Sequence, residues 1–357
     1  MGSKLAAAAG VLAAMLVAAT PAVGHGRSLD LQFRGQAIVP TGTTFKETTV
    51  GGLSSITYDA KRGVYYAISD DQGQFQPARF YTLGLGIHDG RLTDGDVRFT
   101  DVTTLLAPNG LPYPPLSLDP EGMVLTKDRR LVYTSEGIPA SGIDPFVRRA
   151  VLDGSFRGSF PVPQAFLVTA DQSSGVRPNL GFESAGVTHD GRYLYTANEN
   201  ALYQDGPAAT VANGSAVRIL RYSLKSGRLD REFAYVTDPV AEPPVPATAF
   251  SVNGVVELLP LDDDTLISME RSFSVGAPDT GNTIKLYTVE LRGHTARKTL
   301  LLDLDDLGIP LDNVEGLTFG PRLHHGRRSL VLVSDNNFAA TQFTQFLLFA
   351  VKDQRSR

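Results

Sequence analysis

One hairpin pattern occurs five times in this chain, and that recurrence constrains the fold more than any other feature. The copies are GGLSSITYDAKRGVYYAISDD (Gly51 to Asp71), EGMVLTKDRRLVYTSEG (Glu121 to Gly137), ESAGVTHDGRYLYTANEN (Glu183 to Asn200), ELLPLDDDTLISMER (Glu257 to Arg271) and EGLTFGPRLHHGRRSLVLVSDNN (Glu315 to Asn337). Their starts at 51, 121, 183, 257 and 315 are 70, 62, 74 and 58 residues apart. Each has two short runs rich in β-branched and aromatic residues around a polar turn, the mark of a β-hairpin. A third run follows in every unit: ARFYTLGL, FVRRAVLDG, AVRILRYSL, TIKLYTVEL and TQFLLFAV. Segments such as DVRFTDVTTL, REFAYVTD and KTLLLDLDD supply fourth strands.

Four antiparallel strands per unit, repeated in a ring, predict an all-β, single β-propeller. Five blades are favoured. A sixth requires a degenerate unit between Asp144 and Gly181. The fifth unit has no fourth strand of its own, and LDLQFRGQAIVP near the N-terminus is predicted to supply it and close the ring. The main structural alternative, a two-sheet sandwich, does not predict five similar hairpins. The Pro-rich stretches APNGLPYPPLSLDP and DPVAEPPVPATAF fall between units and are expected to be inter-blade loops.

The N-terminus carries Lys4, an apolar run from Leu5 to Ala19 and a small-x-small site at Ala22-Val23-Gly24, the pattern of a cleaved export signal. The expected organisation is therefore a signal peptide at 1–24 and one propeller domain at 28–353, in a secreted or periplasmic protein with no stable membrane insertion after cleavage. The chain has no cysteine, which excludes disulfides, thiolate catalysis and zinc–thiolate sites. A net charge of −5 argues against nucleic acid as a partner. A monomer is expected.

The hairpin ends carry the chemistry. First strands of propeller blades line the central channel and start at a common face, so Glu121, Glu183, Glu257 and Glu315 are expected to form an inner ring there. Gly51 and Gly52 take that place in the first unit, where Ser55 also lines the channel. Second strands end at the same face, and Asp70, Asp71, Glu136, Asn198, Glu199, Glu270, Asp335 and Asn336 are expected to form a wider ring. So many carboxylates need a counter-charge, and an oxygen-rich site of this kind suits calcium. The alternative is that these acids are solvated turn residues. Third strands open near Arg79, Arg148, Arg218 and Lys285, and Arg271 follows Glu270. These basic groups are candidate ligands for substrate phosphate, or else edge residues that discourage strand pairing. His189, His294, His324 and His325 lack ligand spacing and are expected in solvent. No GxSxG elbow or Walker-type loop occurs.

The motifs GGLSSITYD with AISDD, DPEGMVL with YTSEG, FESAGVT with YTANEN, and NVEGLTFG with LVSDNN resemble those of the phytase-like family, also labelled esterase-like activity of phytase. The resemblance spans Gly51 to Val351. It implies an exported, metal-dependent phosphoester hydrolase acting on phytate or another small anionic phosphate ester, with the site at Asp70, Glu121, Glu136, Glu183, Glu199, Glu270, Glu315 and Asp335. On that reading calcium and water are held by the acids, Glu183 and Glu121 are catalytic with Arg271, and Arg79 and Lys285 assist Arg271 in stabilising developing charge. Two other readings stay open: a calcium-dependent lactonase or carboxylic-ester hydrolase, which needs fewer basic groups and a more apolar mouth, and a non-catalytic binding propeller with a structural metal.

Overall fold

The computed structural model describes residues 28–169 and 171–354, so the segment expected to be a signal peptide lies outside the described residues. The chain begins with β1 (Ser28–Val39) and a short hairpin of β2 (Thr44–Phe45) and β3 (Thr48–Thr49). Five antiparallel meanders follow. Blade 1 contains β4 (Leu53–Asp59), β5 (Val64–Ser69), β6 (Arg79–Leu85) and β7 (Val97–Thr104). Blade 2 contains β8 (Pro120–Leu125), β9 (Arg130–Ser135), β10 (Phe146–Val151) and β11 (Phe156–Phe160). Blade 3 contains β12 (Gly186–Val187), β13 (Tyr193–Ala197), β14 (Ala216–Ser223) and β15 (Leu229–Val236). Blade 4 contains β16 (Ser251–Pro260), β17 (Thr265–Ser274), β18 (Asn282–Arg292) and β19 (Thr295–Asp303). Blade 5 contains β20 (Asn313–Arg322), β21 (Arg328–Asp335) and β22 (Thr344–Gln354), and its outer strand is β1.

The innermost strands touch in cyclic order, β4 to β8, β12, β16, β20 and back to β4, which closes a five-bladed propeller. The segment from 144 to 181 holds the outer half of blade 2 and a loop, not a sixth unit. Apolar residues alternate along the strands and pack between neighbouring blades. Ile56, Tyr65 and Tyr81 of blade 1, for example, meet Val331, Phe346 and Leu348 of blade 5. The outer strands of blades 3 and 4 also meet at one parallel bridge, Ala234 to Thr295. Both Pro-rich stretches connect successive blades, as expected. Among the described residues no helix is long and apolar enough to cross a membrane.

Candidate active site

The hairpin registers decide which side chains reach the channel mouth. Leu53 pairs with Ser69, Pro120 with Ser135, Val314 with Ser334 and Val255 with Glu270, and each pair is followed by a register shift on the inner strand. In blade 3 the Phe182–Asn198 bridge takes the same place. The next residue inward is Ser54, Glu121, Glu183, Val256 or Glu315. The next on the second strand is Asp70, Glu136, Glu199, Arg271 or Asp335. The residue just before the inner member of each pair is Gly52, Asp119, Gly181, Gly254 or Asn313.

Two of the expected acids therefore stand one residue out of step, both in blade 4. Glu257 lies one position deeper than the other glutamates, where its carboxylate accepts from Ser55 Oγ at 2.8 Å, Leu258 N at 2.9 Å and Ala185 N at 3.2 Å. Glu270 precedes the rim position. It accepts from Tyr235 Oη at 2.5 Å, Asp238 N at 2.8 Å and Asn253 Nδ2 at 3.1 Å, and pairs with Lys298 at 2.5 Å. A shift of one residue turns a strand side chain to the opposite face, and neither acid lines the mouth.

Asp71 does line the cavity, as expected, but its oxygens are already occupied. Its two oxygens accept from the backbone N–H groups of Gln74, Phe75 and Gln76 and from Arg79 at 2.7 Å, all within a buried pair. The third-strand basic residues do not reach the mouth. Arg79 serves Asp71 and Thr49 O. Arg148 lies 3.8 Å from the Phe146 ring centroid and donates to Tyr113 Oη. Arg218 pairs with Asp205 and Glu232, and Lys285 with Asp303. Third strands sit two strand spacings, about 10 Å, outside the channel strands, too far for these side chains to converge.

The remaining acids do converge. Asp70, Asp119, Glu121, Glu183, Glu199, Glu315 and Asp335 line an open cavity of about 710 Å³. Glu136 lies beneath it. One oxygen from each of Asp119, Glu121 and Glu136 lies within 4.8 Å of the others, and the same holds for Glu136, Glu183 and Glu199. Asp119, the residue before the inner strand, was not picked out as a ligand from the sequence, although it opens the DPEG motif. Asn313, at the matching place in blade 5, donates to Glu315 at 2.9 Å and Asp335 at 3.3 Å. Three glycines make room for the acids: a Cβ on Gly52 would lie 1.9 Å from Asp70 Oδ1, one on Gly254 2.3 Å from Glu199 Cγ, and one on Gly181 2.4 Å from Glu136 O.

Against these eight carboxyls, Arg271 is the one Arg or Lys among the described residues lining the cavity. Its guanidinium lies 3.1 Å from Glu315 and 3.3 Å from Glu199. Burial would lower its pKa, but Glu199, Glu315 and Glu183 outweigh that and raise it. Burial, reinforced by neighbouring acids, pushes Asp70, Glu121, Glu136 and Glu183 well above the usual carboxylate range. Burial likewise raises Asp119 to about 6, Glu199 to about 7 and Asp335 to about 8. Asp70 Oδ1 is buried without a hydrogen-bond donor, and Glu199 Oε1 has only its 3.3 Å ion pair with Arg271. An orphaned acceptor beside crowded, desolvated acids fits a bound cation. All four histidines named above are exposed.

No curated protein matches the chain. It is similar in structure to an endo-arabinase from Bacteroides thetaiotaomicron (TM-score 0.45, 14% identity, 88% of this chain and 96% of that one). It is also similar to the periplasmic gluconolactonase of Pseudomonas aeruginosa (TM-score 0.38, 14% identity, 91% and 96%). Residues 48–338, from the hairpin before blade 1 to the loop after β21, match one family along their whole length. The chain belongs to the phytase-like family, described as esterase-like activity of phytase.

Proposed function

We propose that the protein is an exported, monomeric, calcium-dependent hydrolase of phosphoesters, working at the acidic mouth of the propeller. The observation that carries this reading is the gathering of Asp70, Asp119, Glu121, Glu183, Glu199, Glu315 and Asp335 with Arg271 in a single open cavity, with Glu136 within ligand distance of four of these acids. Such a set is costly to keep ionised unless a cation joins it. Asp119, Glu121 and Glu136, with Glu183 and Glu199 sharing Glu136, would hold calcium through hard oxygen ligands. When bound, the ion supplies charge neutralisation for the ester oxygens and lowers the pKa of an attacking water. Glu183 and Glu121, on the inner ring and open to the cavity, would orient that water, with Glu183 accepting its proton. Arg271 lines the same space, where its guanidinium charge would stabilise an ester oxygen. The leader, cleaved after Gly24, would deliver the protein to a calcium-rich compartment.

With Arg79, Arg148, Arg218 and Lys285 occupied elsewhere, anion recognition falls to the metal and Arg271. That scarcity of cations, together with Phe75, Phe250, Phe273 and Phe338 around the cavity, favours a second reading as a carboxylic-ester or lactone hydrolase. Phosphate release from phytate and an aryl phosphate, and acid release from a lactone, should be measured with calcium and with a chelator. Calcium-dependent phosphate release that Glu183→Gln lowers by about 100-fold or more, with folding intact, is expected. Lactone opening without phosphate release would select the second reading. A calcium-raised melting temperature with neither product would make the ion structural and the propeller a binding platform.

A further inference from the structure

An exposed phenylalanine is ordinarily an unremarkable surface residue, but Phe75 is held in place from beneath. It is 60% exposed, on the loop between β5 and β6, and lines the acidic cavity. The buried Asp71 carboxylate accepts the backbone N–H groups of Gln74, Phe75 and Gln76, and Arg79 balances its charge. The ring stacks on Phe338 with centroids 4.6 Å apart and planes 30° apart. Phe338 comes from the loop after β21, where Asn337 and Phe338 have φ of +47° and +52°. That left-handed pair is unfavourable for a bulky side chain and persists through bonds from Asn337 N to Asp335 Oδ1 (2.7 Å) and from Phe338 N to Asn336 Oδ1 (3.1 Å). Asn336 Oδ1 also accepts from Gly52 N at 3.0 Å.

Gly51 and Gly52 do not stand at the inner-ring place expected of them, which Ser54 holds, but they have another role. A Cβ on Gly51 or Gly52 would lie 3.0 or 2.8 Å from the Phe338 ring, so only a bare backbone lets the ring lie there. A strained backbone, a buried ion pair and two glycines thus combine to present a fixed aromatic pair beside Asp70 and Asp335, which line the same cavity. Pre-organised exposed rings at the edge of a pocket are characteristic of recognition surfaces.

The geometry points to a substrate class: the Phe75–Phe338 pair is a stacking platform for the aryl or other planar apolar group of an anionic ester whose ester oxygens lie over the carboxyls. This rests on the hydrolase reading above and narrows it, since a wholly polar polyphosphate such as phytate gains nothing from the platform. Asp71 and Arg79 then act as positioning residues for Phe75.

The test is calorimetric titration of the calcium-loaded protein with phenylphosphonate and methylphosphonate, neither of which can be hydrolysed. The wild type is expected to favour the phenyl compound by about tenfold. Phe75→Ala with Phe338→Ala should bring the ratio close to one, while Phe75→Tyr retains it. Thermal melting checks that each variant folds, and Phe75→Ala alone, at an exposed position, serves if the double variant does not. A wild-type ratio near one, or a ratio that survives Phe75→Ala, overturns the platform. If neither phosphonate binds, the phosphoester reading has failed instead, and the ratio of benzyl acetate to ethyl acetate hydrolysis, two esters with leaving groups of similar basicity, decides the platform by its loss in Phe75→Ala.

Discussion

Arg271 occupies a position that carries an acid in each of the other four blades, between Glu199 and Glu315. Breaking a buried pair by removing one partner leaves an uncompensated charge and typically costs about 3–5 kcal/mol. Arg271→Gln should therefore destabilise the calcium-free protein by about 3 kcal/mol in urea unfolding, with calcium restoring most of the loss. A change below about 1 kcal/mol would mean the two glutamates are already neutral. The acids themselves make a prediction about pH. Their folded pKa values are raised, to about 6 for Asp119, about 7 for Glu199 and about 8 for Asp335, above ordinary values of 3.8, 4.5 and 3.8. Between those limits the folded state binds more protons than the unfolded one, so stability falls as pH rises. The melting temperature of the chelated protein should drop from pH 5 to pH 8. Calcium, which binds the ionised form, should flatten or reverse the slope. A chelated protein more stable at pH 8 than at pH 5 would contradict the desolvated cluster.

The hairpin is the element in which the sequence was most and least legible. Turn residues and apolar alternation marked all five, together with their third strands, because those signals are local. The misplacement of Glu257 and Glu270 shows the limit. Motif alignment matched Glu257 to Glu121, but the register shift in blade 4 falls at Val256, and no residue type announces a shift of one. The basic residues misled for another reason: they do open their strands, yet those strands are third from the axis. Gly52 offers a clean test of how tightly the hairpin end is built. It has φ of +62°, and a Cβ would lie 1.9 Å from Asp70 Oδ1, whereas Gly63 has φ of +69° with nothing within 4 Å. Gly63→Ala should cost about 1–2 kcal/mol, the left-handed penalty alone. Gly52→Ala should cost more and should also weaken calcium binding in a titration, because Asp70 must move. Equal costs with unchanged calcium affinity would remove Asp70 from the site.

At the scale of the whole molecule, the mouth exists only while the ring is closed, and closure is made by residues far apart in sequence. Strand β1 pairs with β22 from Ser28 with Gln354 to Val39 with Thr344, interrupted by one irregularity near Gly35. It buries Leu29, Ala37 and Val39 and sets Phe33 against Phe349 with ring centroids 5.5 Å apart. Each large apolar side chain buried this way contributes about 1.5–3 kcal/mol, and β22 without β1 would expose an apolar edge open to further pairing. This closing strand was legible because the fifth unit visibly lacked a fourth run and the N-terminal segment supplied one. Blade 5 in turn holds Glu315 and Asp335 against Asp70 of blade 1, so calcium affinity should depend on a strand that touches no ligand. A chain beginning at residue 40 should lose its cooperative, calcium-sensitive melt and aggregate, while one beginning at residue 28 should keep both melt and affinity. Addition of a synthetic peptide covering residues 28–39 should restore part of the melt, which separates loss of closure from general misfolding. If the chain from residue 40 binds calcium with undiminished affinity, the acidic mouth is assembled by the inner hairpins alone and the closing strand contributes only stability.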